Sequence, residues 1–298
     1  MLKIGLIAEF NPFHNGHIYL INKIKEMYPN SKIIVALSSN YTQRGEIACQ
    51  SYLKRKKIAK QYGVSKVLKL DFETSTQAAH IFAKGAIDRL NQSGIDLLVF
   101  GASDTSNINV YINAANKLKE NLEFYNTKAK EIMKTGRSFI YSCYEALKFI
   151  IPEKDIPQDI LGFEYTKYII NNNLKIKLNC FKRTVSHSSE NTSLNYASGT
   201  KLRQMIKDKE DISKYSPVKI TKLKTIESTY PRFQKIVRKK TPQQLAKIKL
   251  VTEGMENLFK KNINASTYDE FVDRCTSKRY TKSRIKRVYL YVLKSIKR

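Results

Sequence analysis

The chain opens with an apolar run over residues 2–8 and then repeats one pattern, with strand-like runs at 32–38, 66–70 and 96–100. Each is followed by a longer stretch in which apolar residues recur every three or four positions. This alternation predicts βαβ units. Parallel strands joined by right-handed crossovers make a doubly wound α/β sheet, whose ligands gather at the carboxyl ends of the strands. A fifth strand is predicted over 174–182 and a helix over 198–209. From about Asp211 the strand signal fades. Pro217, Pro231 and Pro242 punctuate a lysine-rich connection, and 243–261 and 266–297 show helical periodicity. The expected organisation is a Rossmann-like catalytic domain over 1–210 and a smaller basic, mainly helical domain over 211–298.

The most informative turn follows the first strand and reads Glu9-Phe10-Asn11-Pro12-Phe13-His14-Asn15-Gly16-His17. Ile18, Ile21, Ile24 and Met27 fall at helical spacing, so a helix should begin near Gly16 with its unsatisfied N–H groups facing the turn. Gly16 lets a phosphate approach the backbone. His14 and His17, three apart, can project to one side and stabilise the charge that develops when an α-phosphate is attacked and pyrophosphate leaves. A histidine pair that merely caps a helix is the bland alternative. The position at a strand-to-helix turn, holding two of only four histidines in the chain, favours the ligand site.

Composition narrows the partners. With 298 residues and 42% hydrophobic content the chain can bury a substantial core. No apolar run approaches the roughly 18 residues that would span a bilayer, and the start reads as a strand, so the expected compartment is the cytoplasm. Cys49, Cys143, Cys180 and Cys275 show no CxxC spacing, which argues against disulfides and structural zinc. The formal charge of +28 points to a polyanion. It is concentrated in SKRYTKSRIKR, where Lys278, Arg279, Lys282, Arg284, Lys286 and Arg287 surround Tyr280 without an acid. Lys278, Arg279, Tyr280, Lys282, Arg284 and Arg287 are therefore the candidate RNA contacts.

Other segments belong to the same sheet edge. In Ser38-Ser39-Asn40-Tyr41-Thr42-Gln43-Arg44-Gly45-Glu46, Arg44 is placed to meet a phosphate or a small carboxylate, Gln43 to orient it, and Glu46 to hold Arg44 or assist a cation. Gly101, after the fourth strand, would let an adenine or ribose lie on the backbone. In ASGTKLR, Ser198, Thr200, Lys201 and Arg203 open a helix as a second phosphate cradle, with Ser198 as a plain N-cap the alternative. Neither a Walker A sequence nor GxGxxG occurs, which disfavours P-loop kinases and nicotinamide dehydrogenases.

Together IAEFNPFHNGH, SSNYTQRGE, FAKGAIDRLNQSGIDLLVFG, PQDILGFEYTKY, ASGTKLR, TEGMENLF and SKRYTKSRIKR resemble the bacterial tRNA(Met) cytidine acetate ligase family, in that family's order. The resemblance implies activation of acetate by ATP, the co-substrate, with Mg2+, to acetyl-adenylate and pyrophosphate. It further implies transfer of the acetyl group to the exocyclic amine of the wobble cytidine of elongator tRNA(Met). It places ATP contacts on Ile7, Ala8, Glu9, Phe10, Asn11, Pro12, Phe13, His14, Asn15, Gly16, His17, Ile18, Tyr19 and Leu20, with further contacts on Gly101, Gln158, Asp159 and Arg183. Catalytic roles are expected for His14, His17 and Arg44. No protein-bound metal, membrane or protein partner is implied. This chain reads Pro157-Gln158 where the family has Pro-Asn. It also lacks the acid that follows the fourth-strand glycine, leaving Asp104 as the candidate substitute.

Two other readings share parts of this pattern. A small-molecule adenylyltransferase would keep the histidine turn and the ASGTKLR cradle but has no use for a basic carboxyl-terminal region. A tRNA-binding homologue with impaired catalysis would bind RNA without consuming ATP.

Overall fold

The structure is a computed structural model that describes residues 1–184, 192, 194–220 and 223–298. Five strands, β1 (Lys3–Ala8), β2 (Lys32–Leu37), β3 (Lys66–Lys69), β4 (Leu97–Ala102) and β5 (Lys177–Lys182), form one sheet in the order β3-β2-β1-β4-β5. All neighbouring pairs are parallel. The chain steps outward from β1 to β3, then returns to add β4 on the other side of β1. The switch between β1 and β4 opens a crevice at their carboxyl ends, the usual ligand position in such sheets.

Strand side chains alternate between two buried faces. Ile33, Val35 and Leu37 of β2 join Ile4, Leu6, Leu97 and Val99 in a core covered by α1 (Asn15–Met27) and α2 (Tyr52–Gln61). Ile34, Ala36, Leu98 and Phe100 enter the opposite core with α4 (Ala79–Asn91), α5 (Ile108–Glu120) and α8 (Ile160–Asn171). Short α3 (Phe72–Ser75) precedes α4, while α6 (Leu122–Lys134) and α7 (Phe139–Lys148) complete that layer. Burial on both faces explains why the strands read as continuous apolar runs.

The segment after α9 (Gly199–Lys207) stays with the first unit: Ile212 and Tyr215 pack on α9, and the Asn15 N–H donates to the Tyr215 carbonyl at 2.9 Å. A second core starts at Ile226 and gathers α10 (Tyr230–Lys239), α11 (Pro242–Ala246), α12 (Met255–Asn262), α13 (Tyr268–Cys275) and α14 (Lys282–Lys294). At its centre Phe233 stacks on Tyr289 with ring centroids 4.0 Å apart. Pro231 and Pro242 lie in the first turns of α10 and α11 and do not mark a connection. Proline has no N–H to lose there and its fixed φ suits the helix. The helical stretch expected over 266–297 is two helices separated by 276–281.

The second core leans on the first through α14. Gln77 Nε2 donates to the Tyr291 hydroxyl at 3.3 Å, and Arg287 Nη1 donates to the Gln43 carbonyl at 3.3 Å. Gly45 sits at φ 80°, and a Cβ there would lie 2.6 Å from the Arg287 backbone nitrogen. Glycine therefore serves both the turn and the close approach of α14.

Candidate active site

The cleft at the β1/β4 switch is lined by the ends of β1 and β4, the histidine turn, Thr42, Arg44 and Glu46, and the starts of α8 and α9. Two helix amino termini, of α1 and α9, contribute residues to it, and neither has an acid in its first turn. A Cβ on Gly199 would stand 3.1 Å from the Asn11 carbonyl, which shows how closely the two termini approach. Such convergence makes a site for a polyphosphate.

The histidine geometry follows from helix capping. His14 is the N-cap of α1, and its Nδ1 accepts the Gly16 N–H at 3.1 Å. His17 Nδ1 accepts the His14 N–H at 3.1 Å, and the rings stack with centroids 3.8 Å apart. With each Nδ1 accepting, the neutral imidazoles carry their protons on Nε2. Phe10 and Phe13 fix the ring of His17, at centroid distances of 4.8 and 5.5 Å. The same backbone bonds that start the helix therefore set the tautomer of both side chains.

Arg203 reaches across from α9, donating from Nη1 to the Asn11 carbonyl at 2.8 Å and from Nη2 to Thr200 Oγ1 at 3.2 Å. Ser198 caps α9 by accepting the Lys201 N–H at 3.0 Å. Across the cleft, Asp159 caps α8 and pairs with Arg183 at 2.8 Å. A Cβ on Gly101 would meet Arg183 Nε at 3.1 Å, so this glycine and arginine share one wall.

Two carboxylates modulate the charge. Burial pushes Glu9 above its ordinary range, against the opposing pull of the Gln43 N–H, which donates to it at 2.6 Å. Burial also pushes Glu46 upward, but Lys286, Arg203 and Arg44 outweigh it and hold the carboxyl below its ordinary value. Among the described residues no group of three or more His, Cys, Asp and Glu side chains could hold a metal ion.

Most of the residues expected around ATP line this cleft: Ile7, Ala8, Glu9, Phe10, Asn11, His14, Gly16, His17, Tyr19, Leu20, Gly101, Asp159, Arg183, Ser198 and Arg203, together with Arg44. Others do not. Pro12 is buried beneath the turn, and Phe13 is buried because its ring joins the α1 side of the core. Asn15 instead ties the turn to the Asn195 and Lys214 carbonyls, at 2.8 and 3.0 Å. Ile18 packs on the core, and Thr200 acts through Arg203. Gln158 points away, since its N–H donates to Asp104 Oδ2 at 3.1 Å and its amide to the Ile156 carbonyl, so Asp159 alone of that pair faces the cleft. Asp104 is engaged structurally, accepting the Tyr111 hydroxyl at 2.7 Å.

The basic segment also differs from its reading as a run of cations without acids. Arg279 and Arg284 pair with Glu253 at 3.1 and 3.2 Å, and Lys282 with Asp273 at 2.6 Å. Tyr280 is buried and donates to the Glu253 carbonyl, while Arg287 is buried against the Gln43 loop. The acids come from α12's approach and from α13, outside the local sequence. Lys278 stays exposed.

Sequence reasoning missed Arg55. It is fully buried, with Nη1 donating to the Glu9 carbonyl at 2.6 Å and to Ser38 Oγ at 3.2 Å, Nε to the Gln50 carbonyl at 3.0 Å, and Nη2 to the Ser39 carbonyl. It clamps the two loops that form one wall of the cleft, and burial depresses its pKa to about 10. Nothing in the string KRKK distinguishes it from its solvated neighbours.

A parallel sheet with this strand order and an HNGH turn over its switch point define a nucleotidyltransferase, and the sequence model of the HIGH Nucleotidyl Transferase family matches residues 1–298. The tRNA(Met) cytidine acetate ligase of Mycoplasma mobile is 51% identical over 300 residues, covering 100% of both chains. The crystal structure of Thermotoga maritima TmcAL in its apo form I superimposes with a TM-score of 0.91 at 27% identity, covering 100% of this chain and 76% of that one. The form bound with alpha-thio ATP gives 0.88 at 27% identity, with the same coverage. The chain belongs to the tRNA(Met) cytidine acetate ligase family.

Proposed function

We propose that this chain is an ATP-dependent ligase that joins acetate to the exocyclic amine of the wobble cytidine of elongator tRNA(Met), through acetyl-adenylate. The observation that carries the reading is the meeting of two acid-free helix amino termini and the HNGH turn at the β1/β4 switch, within this family. A cytosine amine is a poor nucleophile because its lone pair is delocalised into the ring. An acyl donor with AMP as leaving group answers that difficulty.

In the first step an acetate oxygen attacks the α-phosphorus and the bond to pyrophosphate breaks. The triphosphate lies between the α1 and α9 termini, with Arg203 and the Nε2–H groups of His14 and His17 stabilising the charge that accumulates on leaving. Mg2+ brought in with ATP would neutralise charge on the triphosphate, with no cluster of carboxylates among the described residues to hold it independently. Gly101 and the Arg183–Asp159 pair hold the nucleoside end, and Arg44, which also lines the cleft, receives the acetate. In the second step the cytidine amine attacks the acetyl carbonyl, AMP leaves and the nitrogen loses a proton. The chain's contribution is mainly orientation and preorganised charge. Reaction in the cytoplasm follows from the substrates. Among the described residues no helix is long and apolar enough to cross a membrane.

Acetate-dependent exchange of labelled pyrophosphate into ATP, without tRNA, tests the first step. Exchange that needs acetate supports it, whereas exchange driven only by a phosphorylated small molecule would replace it with the adenylyltransferase reading.

A further inference from the structure

Among the described residues the cleft is lined by the carboxylates of Glu9, Glu46 and Asp159. Two of them are held by cations. Asp159 accepts the Gly162 N–H at 2.9 Å through Oδ1 and pairs with Arg183 at 2.8 Å through Oδ2. Glu46 pairs with Lys286 at 2.8 Å through Oε1 and turns Oε2 toward Arg203 at 3.9 Å. Glu9 differs. Its Oε1 accepts the Gln43 N–H at 2.6 Å, but among the described residues Oε2 has no hydrogen-bond partner and the carboxylate forms no ion pair. The nearby Arg55 spends its guanidinium on the carbonyls of Glu9, Ser39 and Gln50 and on the Ser38 hydroxyl. ATP and acetate are both anions, so a carboxylate without a cation repels either one. Binding them does not account for Glu9.

The second step of the proposed reaction needs a proton acceptor. When the cytidine amine adds to the acetyl carbonyl its nitrogen becomes cationic and must shed a proton, whereas acetate attacks phosphorus already as an anion. The histidines are not built for this role. Each Nδ1 accepts a backbone N–H, so each neutral ring offers a donor at Nε2. Glu46 and Asp159 have their charges compensated. Glu9 alone of the cleft's carboxylates and imidazoles keeps an acceptor uncommitted, and its carboxylate is tied to Gln43, the residue directly before Arg44. Burial raises its proton affinity and Glu46 adds to the rise, against the Gln43 N–H, Arg203 of α9 and Arg55 of α2, while Tyr165 of α8 also senses its charge. Glu46 is shifted the other way. Two carboxylates driven apart by their surroundings divide charge holding from proton transfer.

We infer that Glu9 is the base of the acetyl transfer, taking through Oε2 the proton that the attacking cytidine amine must lose. The inference rests on the ligase reading above. The N–C bond forms as the amine adds to the carbonyl, and the N–H proton moves to the Glu9 carboxylate. The C–O bond to phosphate then breaks, its electron pair leaving with AMP, and protonated Glu9 returns its proton to solvent.

Acetyl-adenylate supplied directly with elongator tRNA(Met) isolates this step, and mass spectrometry of N4-acetylcytidine in single turnovers reads it. Wild type, Glu9→Gln and Glu9→Asp are compared across pH, with acetate-dependent pyrophosphate exchange measured in parallel. Glu9→Gln keeps an oxygen for the Gln43 N–H, so the fold should persist, and thermal melts and filter binding of the tRNA check that it does. The ratio of transfer to exchange should fall about a hundredfold in Glu9→Gln, the scale of one lost proton acceptor, and recover in part in Glu9→Asp. The base acts unprotonated. Wild-type transfer should therefore decline as pH falls through a midpoint above the ordinary glutamate value of about 4.3, and Glu9→Gln should lose that inflection. A merely structural role would lower both steps together and leave the inflection in place. Glu9→Gln with the wild-type ratio and pH profile overturns the base and leaves the proton to the departing AMP phosphate. A wild type that exchanges pyrophosphate but makes no N4-acetylcytidine would instead sink the ligase reading, and the base with it.

Discussion

Lys286 of α14 forms a 2.8 Å ion pair with Glu46 of the cleft loop, and Glu46 also faces Arg203 at 3.9 Å. Arg203 in turn holds the carbonyl of Asn11 in the histidine turn. A polar chain therefore runs from the carboxyl-terminal helix to the proposed phosphate site. The cationic helix is in part a strut for the cleft loop.

The pair has a pH signature. The folded Glu46 carboxyl is held below its ordinary value, so its stabilisation is present above the unfolded pKa, about 4.3, and is lost as pH falls through the lower folded value. Glu46→Gln should cost about 1 kcal/mol at pH 7 and progressively less toward pH 3. Urea denaturation at both pH values reads this directly. An equal gap at the two would mean that the pair contributes nothing electrostatic.

His14→Ala and His17→Ala should each lower acetate-dependent pyrophosphate release about a hundred- to a thousandfold, the cost of one preorganised donor. His14→Ala also removes a helix cap, for about 1 kcal/mol of stability. Thermal melts accompany the kinetics for that reason. Full rates in folded variants would take both rings out of the chemistry.

Gly101→Val should raise the apparent KM for ATP with little effect on tRNA affinity, because the new side chain must displace Arg183 from the shared wall. Gly101→Ala, whose single methyl meets the flexible arginine at 3.1 Å, should show a milder form of the same defect. Steady-state titrations of ATP and of tRNA separate the two substrates. A variant that loses tRNA affinity while keeping its ATP response would move this wall away from the nucleotide.

The sheet was legible because its strands are buried on both faces and announce themselves as apolar runs such as KIIVAL. The histidine turn was legible because its residue types and spacing carry the capping geometry. What escaped are contacts set by the tertiary fold. Arg55 looks solvated in KRKK yet is fully buried, and Tyr280 looks like an RNA-facing ring yet reaches the Glu253 carbonyl. The acids that partner the basic segment lie in Glu253 and Asp273, before α12 and within α13, and no local reading assembles them.

That correction divides the basic segment by experiment. Lys278→Ala should flatten the salt dependence of tRNA binding by up to about 0.9 without changing the melting temperature, as expected for an exposed phosphate contact. Tyr280→Ala should instead lower the melting temperature, because it opens the second core and leaves the Glu253 carbonyl without its donor. A triple replacement of Lys278, Arg279 and Arg284 should weaken tRNA binding while acetyl-adenylate formation persists. An unchanged salt slope in the triple variant would mean that the RNA is held elsewhere.

Direct detection of the acetylated base tests the proposed joining of acetate to tRNA at the expense of ATP. Purified chain is incubated with ATP, Mg2+, isotopically labelled acetate and elongator tRNA(Met), and the digested nucleosides are analysed by mass spectrometry. Labelled N4-acetylcytidine at the wobble position, absent without ATP and lost in His17→Ala, is the result predicted. Intact binding of the tRNA with no labelled nucleoside, and no AMP released, would contradict it.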